Sequence, residues 1–204
     1  MTNAIDVKSE FHAIGDGVHN DAPNINAAIK TIIESDYGGT LYFPPGRYRC
    51  EQTLFVPNGQ QISLIGNGWR PPGDSDSLSG SWIEFAAKME GEFTQDYDMW
   101  QGLKISNPGT RIENLAFTQP SNLSTNHRNN NRNFAAISIY NANDSFISNV
   151  HFLYVSVGLW IANGGRVSIH RISGNPFQIG VKIKRALDVV KIADVHFWDF
   201  TNDT

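Results

Sequence analysis

Two histidines recur at one place in a repeated pattern. His151 falls near the end of "FISNVHF" (146–152) and His196 near the end of "KIADVHF" (191–197), with Asp194, Trp198 and Asp199 around the second. A neutral imidazole is a general base near pH 7, and a carboxyl group serves as acid, base or nucleophile. Glycoside hydrolysis uses two carboxyl groups about 5–9.5 Å apart. Glu113, Asp194 and Asp199 supply candidates, and spacing dictates no pair among them. Elimination from a uronic acid instead needs a base at the C5 proton, for which His151 or Arg171 is suited. The catalytic candidates are therefore Asp194, Asp199, His151 and His196. If the natural chain continues past Thr204, the expectation shifts to catalytic groups beyond that residue. The bland alternative for each candidate is a solvated residue or a rung in a turn ladder, and Asp194 aligns with Asn114 and Asn149 in the repeat.

The stretch "FHAIGDGVHNDAPNINAAI" (11–29) suggests a phosphate or metal loop at first sight. It lacks the lysine and spacing of a phosphate loop, the glycine pattern of a dinucleotide loop, and the alternating acids of a calcium loop. Gly15 and Gly17 permit turns, and Asp16 can bind backbone N–H groups. Asp21 is placed to cap a following helix. These four residues read as structural. Cys50 is the only cysteine, so there is no internal disulfide, and no metal or cofactor is expected.

The 204 residues suit one domain, with 40% hydrophobic and 18% charged residues. A net charge of −4 gives no field favouring nucleic acid. No apolar run is long enough to span a membrane as a helix. The N-terminus shows no basic-then-apolar secretory signal.

These side chains need positioning elements. Ile25, Ala28, Ile29, Ile32 and Ile33 recur at helical spacing over Asn24–Glu34, with Pro23 in the first turn. From Thr40 the chain reads as short strands. Apolar–x–apolar triplets recur: "LYF" (41–43), "ISL" (62–64), "IEF" (83–85), "LKI" (103–105), "ISI" (137–139), "LWI" (159–161) and "VKI" (181–183). Their steps are nearly equal except for the one between "LKI" and "ISI", which holds an Asn-rich insertion at 119–133. A second echo aligns Ile112, Ile147, Ile169 and Ile192, and beside them Asn114, Asn149, Arg171 and Asp194. A period of about 22 residues with several strands per repeat predicts an all-β solenoid, the parallel β-helix. Residues 1–39 form a lead-in loop and capping helix, and 40–204 form the coils. No cap is visible at the C-terminal end, so either something else covers it or the chain is a piece of a longer protein.

If the flanking residues of each triplet face inward, the middle residues Glu84, Lys104, Ser138, Trp160 and Lys182 of five successive coils face outward, and Tyr140 lies two positions along from Ser138. Trp160 and Tyr140 on adjacent coils would then be about 5 Å apart along the axis. Aromatic faces stack on sugar rings, and lysine or arginine pairs with acidic sugars. Trp160, Tyr140, Lys182, Arg171 and Trp198 are the glycan-binding candidates. An outward tryptophan is equally a subunit contact. In the insertion, an exposed loop by default, His127, Arg128 and Arg132 are further residues able to touch an anionic glycan.

"FHAIGDGVHNDAPNINAAI" with "GGTLYFPPGRYRC" (38–50) resembles the start of the pectate-lyase-like superfamily of right-handed parallel β-helices. The match rests on Phe11, Ala13, Gly15, Asp16, Gly17, Asp21, Ala28, Ile29, Gly38, Gly39, Phe43, Pro44, Gly46 and Tyr48. His12 stands where glycine is usual, and Asn20 replaces the first acid of an Asp-Asp pair. The resemblance implies a right-handed coil and a polysaccharide-directed protein. Its members include pectin-degrading lyases and hydrolases, and the usually trimeric tailspikes and tail fibres of bacteriophages. The missing signal, the Asn-rich surface and the early motif lean towards the viral members. The expectation is a homotrimeric tailspike or tail-fibre protein, in the virion or otherwise extracellular. It would recognise and cleave capsule or lipopolysaccharide and contact other tail or baseplate proteins. The rival expectations are a free polysaccharide lyase or glycosidase, and a structural fibre segment.

Overall fold

The computed structural model describes residues 4–70, 78–90, 100–120 and 134–198. In chain order the elements are β1 (Ala4–Asp6), β2 (Asp16–Asn20), α1 (Ala22–Ile33), β3 (Gly39–Phe43), β4 (Gly46–Gln52), β5 (Leu54–Val56), β6 (Ile62–Gly66), β7 (Trp69–Arg70) and β8 (Ser79–Glu90). They continue with β9 (Trp100–Ile105), β10 (Arg111–Glu113), β11 (Ala116–Thr118), β12 (Phe134–Tyr140), β13 (Phe146–Leu153), β14 (Val157–Ala162), β15 (Val167–Asn175), β16 (Ile179–Lys184) and β17 (Val190–Phe197).

Pairing is parallel except where β7 meets β8. The registers sort the core into three stacked rows. The first runs Leu41, Leu64, Ile112, Ile147, Ile169, Ile192. The second runs Tyr48, Ile83, Phe117, Phe152. The third runs Leu54, Leu103, Ile137, Leu159, Val181. Side chains alternate across each strand, so one side of every row fills a shared apolar core. Phe85, Phe117, Phe134 and Phe152 stack inside it with centroids 5.5–6.3 Å apart. This curled, mostly parallel, all-β arrangement is consistent with a β-helix.

The rows correct the triplet reading. "LYF" and "ISL" lie in the first row, "IEF" in the second, and only "LKI", "ISI", "LWI" and "VKI" in the third. The even steps from "ISL" to "IEF" and from "IEF" to "LKI" therefore cross between rows instead of closing a coil. Within the first row, the steps from Leu41 to Leu64, from Ile147 to Ile169 and from Ile169 to Ile192 are plain single returns. Those from Leu64 to Ile112 and from Ile112 to Ile147 carry extra chain. Glu84 leaves the expected outward column, because it pairs with Arg49 and Thr118 in the second row.

The second echo follows the structure closely. Asn114, Asn149, Arg171 and Asp194 all adopt left-handed φ, between 51° and 57°, at the bend joining the first and second rows. Asn149 donates from Nδ2 to Asn114 Oδ1 at 2.8 Å. Asparagine tolerates this conformation better than other side chains, which accounts for its choice at the bend.

Helix α1 buries Ala22, Ile25, Ala28, Ile29, Ile32 and Ile33 against β3 to β6. Asp21 sits at its N-cap position but makes no side-chain bond to the helix. Its carboxylate instead accepts from Ile14 N at 2.6 Å and Gly15 N at 3.0 Å, tying the lead-in loop to the helix start. Asp16 accepts from Val18 N and His19 N and pairs with the His19 ring at 2.7 Å. These bonds hold the Asp16 carboxyl well below the usual range, the His19 amide contributing most. At the other end, Ile183, Ile192 and Val195 continue the core rows yet are exposed.

Candidate functional site

The outward side of the second row gathers most of the chemistry. Its register reads Asp16, Arg47, Trp82, Ala116, His151, Ser173, His196. His151 and His196 are thus two strand spacings apart, about 10 Å, with Ser173 between them. Trp198 follows at the end of β17, where its backbone N–H donates to Gly174 O at 3.1 Å. Its ring centroid lies 5.6 Å from His151 and 5.4 Å from His196. Trp198 is 40% exposed, and His196 is also exposed. Tyr154 and Phe177 stack at 6.2 Å, and Tyr154 packs on the same apolar outer patch as Trp82 and Leu153.

His151, a candidate base, is buried. It is 0% exposed, and burial pushes its pKa down to about 4, so the ring is neutral at pH 7. The Trp69 indole stacks on it at 4.3 Å, and Trp82 meets it edge-on at 5.8 Å. Its Nδ1 lies 3.0 Å from Ser173 Oγ.

The remaining candidates separate. Asp194 pairs with His170 at 2.7 Å, and Glu113 pairs with Arg111. Glu113 lies in β10 and Asp194 in β17, three strand spacings or about 14 Å apart along the first row. That is wider than the pair of carboxyls in glycoside hydrolysis. Asp199, His127, Arg128 and Arg132 lie outside the described residues, as does Thr204, so the expectation of catalytic groups beyond Thr204 lies outside them too. Arg171 is an exposed bend residue.

In the third row, Lys104, Ser138, Trp160 and Lys182 align as expected, with Tyr140, Ala162 and Lys184 beside them. Trp160, however, is no open platform. It is 1% exposed and packs with Ala135, Val157, Ala162 and Tyr140 on the outer face of this sheet. The reason is crowding: β14 is buried along its whole length, outward residues included.

The ion pair of Glu84 escaped the sequence reading, as did Trp69 altogether. Glu84 is a buried carboxylate paired with the Arg47 guanidinium. Trp69 belongs to "NGWRPP" (67–72), inside the long return from Leu64 to Ile112, and that excess length was the available signal.

Comparison with known proteins agrees with the rows. The family model described as rhamnogalacturonase A/epimerase, pectate lyase-like, matches residues 4–202, and the chain belongs to that family. It is 27% identical over 161 residues to the plasmin and fibronectin-binding protein A of Streptococcus pneumoniae, covering 73% of this chain and 20% of that protein. Among solved structures, an iota-carrageenase from A. fortis aligns with TM-score 0.64 at 14% identity, over 97% of this chain and 43% of that one. The phiAB6 tailspike, solved with oligosaccharides of an Acinetobacter baumannii surface polysaccharide, aligns with TM-score 0.55 at 17% identity, over 98% and 38%. The chain therefore spans about a fifth of the pneumococcal relative and under half of either structure. At these identities the structural likeness establishes a shared fold.

Proposed function

We propose that this chain is a polysaccharide-recognising β-helix of the phage tailspike or tail-fibre type, binding and cleaving a bacterial capsule or lipopolysaccharide. The observation that carries the reading is the second-row face. There His196 and Ser173 align along the axis, and Trp198, Tyr154 and Phe177 add partly exposed rings. Rings stack on the apolar faces of sugars, while imidazole and hydroxyl groups meet their hydroxyls. A repeating polymer lying along a repeating surface meets successive coils in the same way.

In this reading Trp198 is the main stacking residue. His196 is the proton-transfer group within reach of the bound chain, and Asp194 and Asp199 are carboxyls near it in sequence. Tyr140, Lys182 and Arg171 belong to separate faces and make outlying contacts to an anionic polymer. The coil is right-handed with about 22 residues per turn. Residues 1–39 form the lead-in loop and cap, and 40–204 form the coils. The assembly is a homotrimer in the phage virion or otherwise extracellular, beside tail or baseplate proteins. A free microbial hydrolase or lyase is the second reading, favoured by the larger TM-score to the carrageenase.

The test is an array of purified bacterial capsules and lipopolysaccharides, followed by release of reducing ends and absorbance of unsaturated uronate. Retention of at least one polysaccharide with new reducing ends is expected. Reducing ends alone indicate hydrolysis, and both signals indicate elimination. Binding without either signal removes the cleavage half of the proposal. No binding to any member overturns it.

A further inference from the structure

The second-row face also holds a covered position that the exposed residues do not use. His151 Nε2 is buried and has no hydrogen-bond partner among the described residues. A buried polar atom left unpaired is costly, so its persistence calls for a reason. The other ring nitrogen, Nδ1, is fixed by Ser173 Oγ at 3.0 Å, so the ring orientation is set. If the Ser173 hydroxyl donates to Nδ1, then Nε2 carries an unmatched N–H. If Nδ1–H donates to Ser173, then Nε2 is an unmatched acceptor. A hydroxyl group, which both donates and accepts, satisfies either tautomer.

Three indoles surround His151, and the one stacked on its face is Trp69. Trp69 stacks on the imidazole at 4.3 Å with 23° between planes. It sits on β7, which among the described residues pairs with β8 through Trp69 with Gly80 and Arg70 with Ser79. Gly68, just before that pairing, and Gly80, within it, have φ of +82° and +93°. An added Cβ at Gly80 would lie 2.2 Å from Gly68 O, so the turn depends on a glycine there. The indole also packs on the outer patch of Trp82, Ala116 and Leu153 and donates from Nε1 to Asn149 O at 3.1 Å. Trp198 reaches the same imidazole at 5.6 Å, which joins the covered position to the exposed row.

We propose that Trp69 occupies the place of a sugar ring, and that a hexose of the bound polysaccharide displaces it, packs over His151 and hydrogen-bonds Nε2 through a hydroxyl that reaches past the ring edge into the imidazole plane. This rests on the polysaccharide reading above and adds to it a specificity subsite for a neutral sugar. The imidazole is uncharged at neutral pH, so it matches a hydroxyl rather than a carboxylate.

The experiment uses the whole chain and the polysaccharide that the array retains, cut to oligosaccharides. His151→Phe keeps an aromatic ring and removes both nitrogens. It is expected to weaken binding about tenfold, the worth of one hydrogen bond, with thermal stability at pH 7 unchanged or raised. Trp69→Ala removes the competitor and is expected to speed association and tighten binding several-fold. Carbethoxylation by diethyl pyrocarbonate, read by mass spectrometry, should spare His151 in the wild type, reach it in Trp69→Ala, and spare it again when oligosaccharide is present. If oligosaccharide binds and both variants bind as the wild type does, the subsite is wrong while the polysaccharide reading stands. Weaker binding by Trp69→Ala would make Trp69 a wall of the site and likewise overturn the displacement. If neither the wild type nor Trp69→Ala binds any polysaccharide, both proposals fall. Loss of stability in His151→Phe with unchanged binding would assign the imidazole to packing alone and overturn the subsite.

Discussion

At the scale of single residues, environment has decided more than identity. His151 and His196 share a register column, yet one is buried beneath an indole and the other is exposed. Burial holds the folded-state pKa of His151 near 4, below its ordinary value of 6.5. The unfolded chain therefore binds the proton more readily between those values. The neutral ring's contribution is fully present above about pH 6.5 and is lost as pH falls towards 4, with a ceiling of about 3 kcal/mol. Urea melts at pH 7 and pH 4.5 should show this loss in the wild type and less of it in His151→Phe. That difference isolates His151 from the acids, among them Asp21, whose pKa burial pushes up. An equal loss in both proteins would contradict the assignment. The two loop acids differ in the same way. Asp21 is buried and accepts two backbone N–H groups, so Asp21→Ala should cost about 1–3 kcal/mol. Asp16 is exposed, and Asp16→Ala should cost less in the same urea melts. The reverse order would show that the lead-in loop is held elsewhere.

At the scale of elements, the bends matter as much as the strands. The left-handed bend is occupied by Asn114 and Asn149 in two coils and by Arg171 and Asp194 in the next two. Asn149→Ala loses both the bond to Asn114 and a side chain suited to that φ. It should lower stability by about 1–2 kcal/mol. Arg171→Asn should raise stability by up to about 1 kcal/mol, since arginine gains nothing from the bend and is exposed. Thermal melts of the two variants check both signs. A parallel bend ladder joins Arg166 to Asp144 at 2.7 Å and to Asp188 at 3.3 Å, although its exposure limits its worth. The apolar periodicity and the alignment of Ile112, Ile147, Ile169 and Ile192 were legible in the sequence because buried rows leave a repeating trace. The helix was legible for the same reason, its start misplaced only from Ala22 to Asn24. The assignment of the early triplets to rows was not. Apolar–x–apolar marks any inward strand, and three rows produce the same triplet. The burial of His151 was also illegible, because Trp69, which lies over it, comes from a distant part of the chain.

At the scale of the whole molecule, the same repetition that builds the core builds the surface. Each parallel step of about 4.8 Å presents an equivalent outward position, so a polymer with its own repeat can be read along the axis. The last rows carry Ile183, Ile192 and Val195 in core register but exposed, a surface suited to packing against further protein. Light scattering on the purified protein should give three times the chain mass if the tailspike reading holds, and a monomer would count against its trimeric part. The most direct test of the central claim is a titration of the polysaccharide selected from the array against wild type and Trp198→Ala. Trp198 is the exposed ring that joins both histidines, and its removal disturbs little of the core. Binding by the wild type and at least tenfold weaker binding by a folded Trp198→Ala is the expected result. Equal affinity of the two proteins would contradict the assignment of this face as the polysaccharide site.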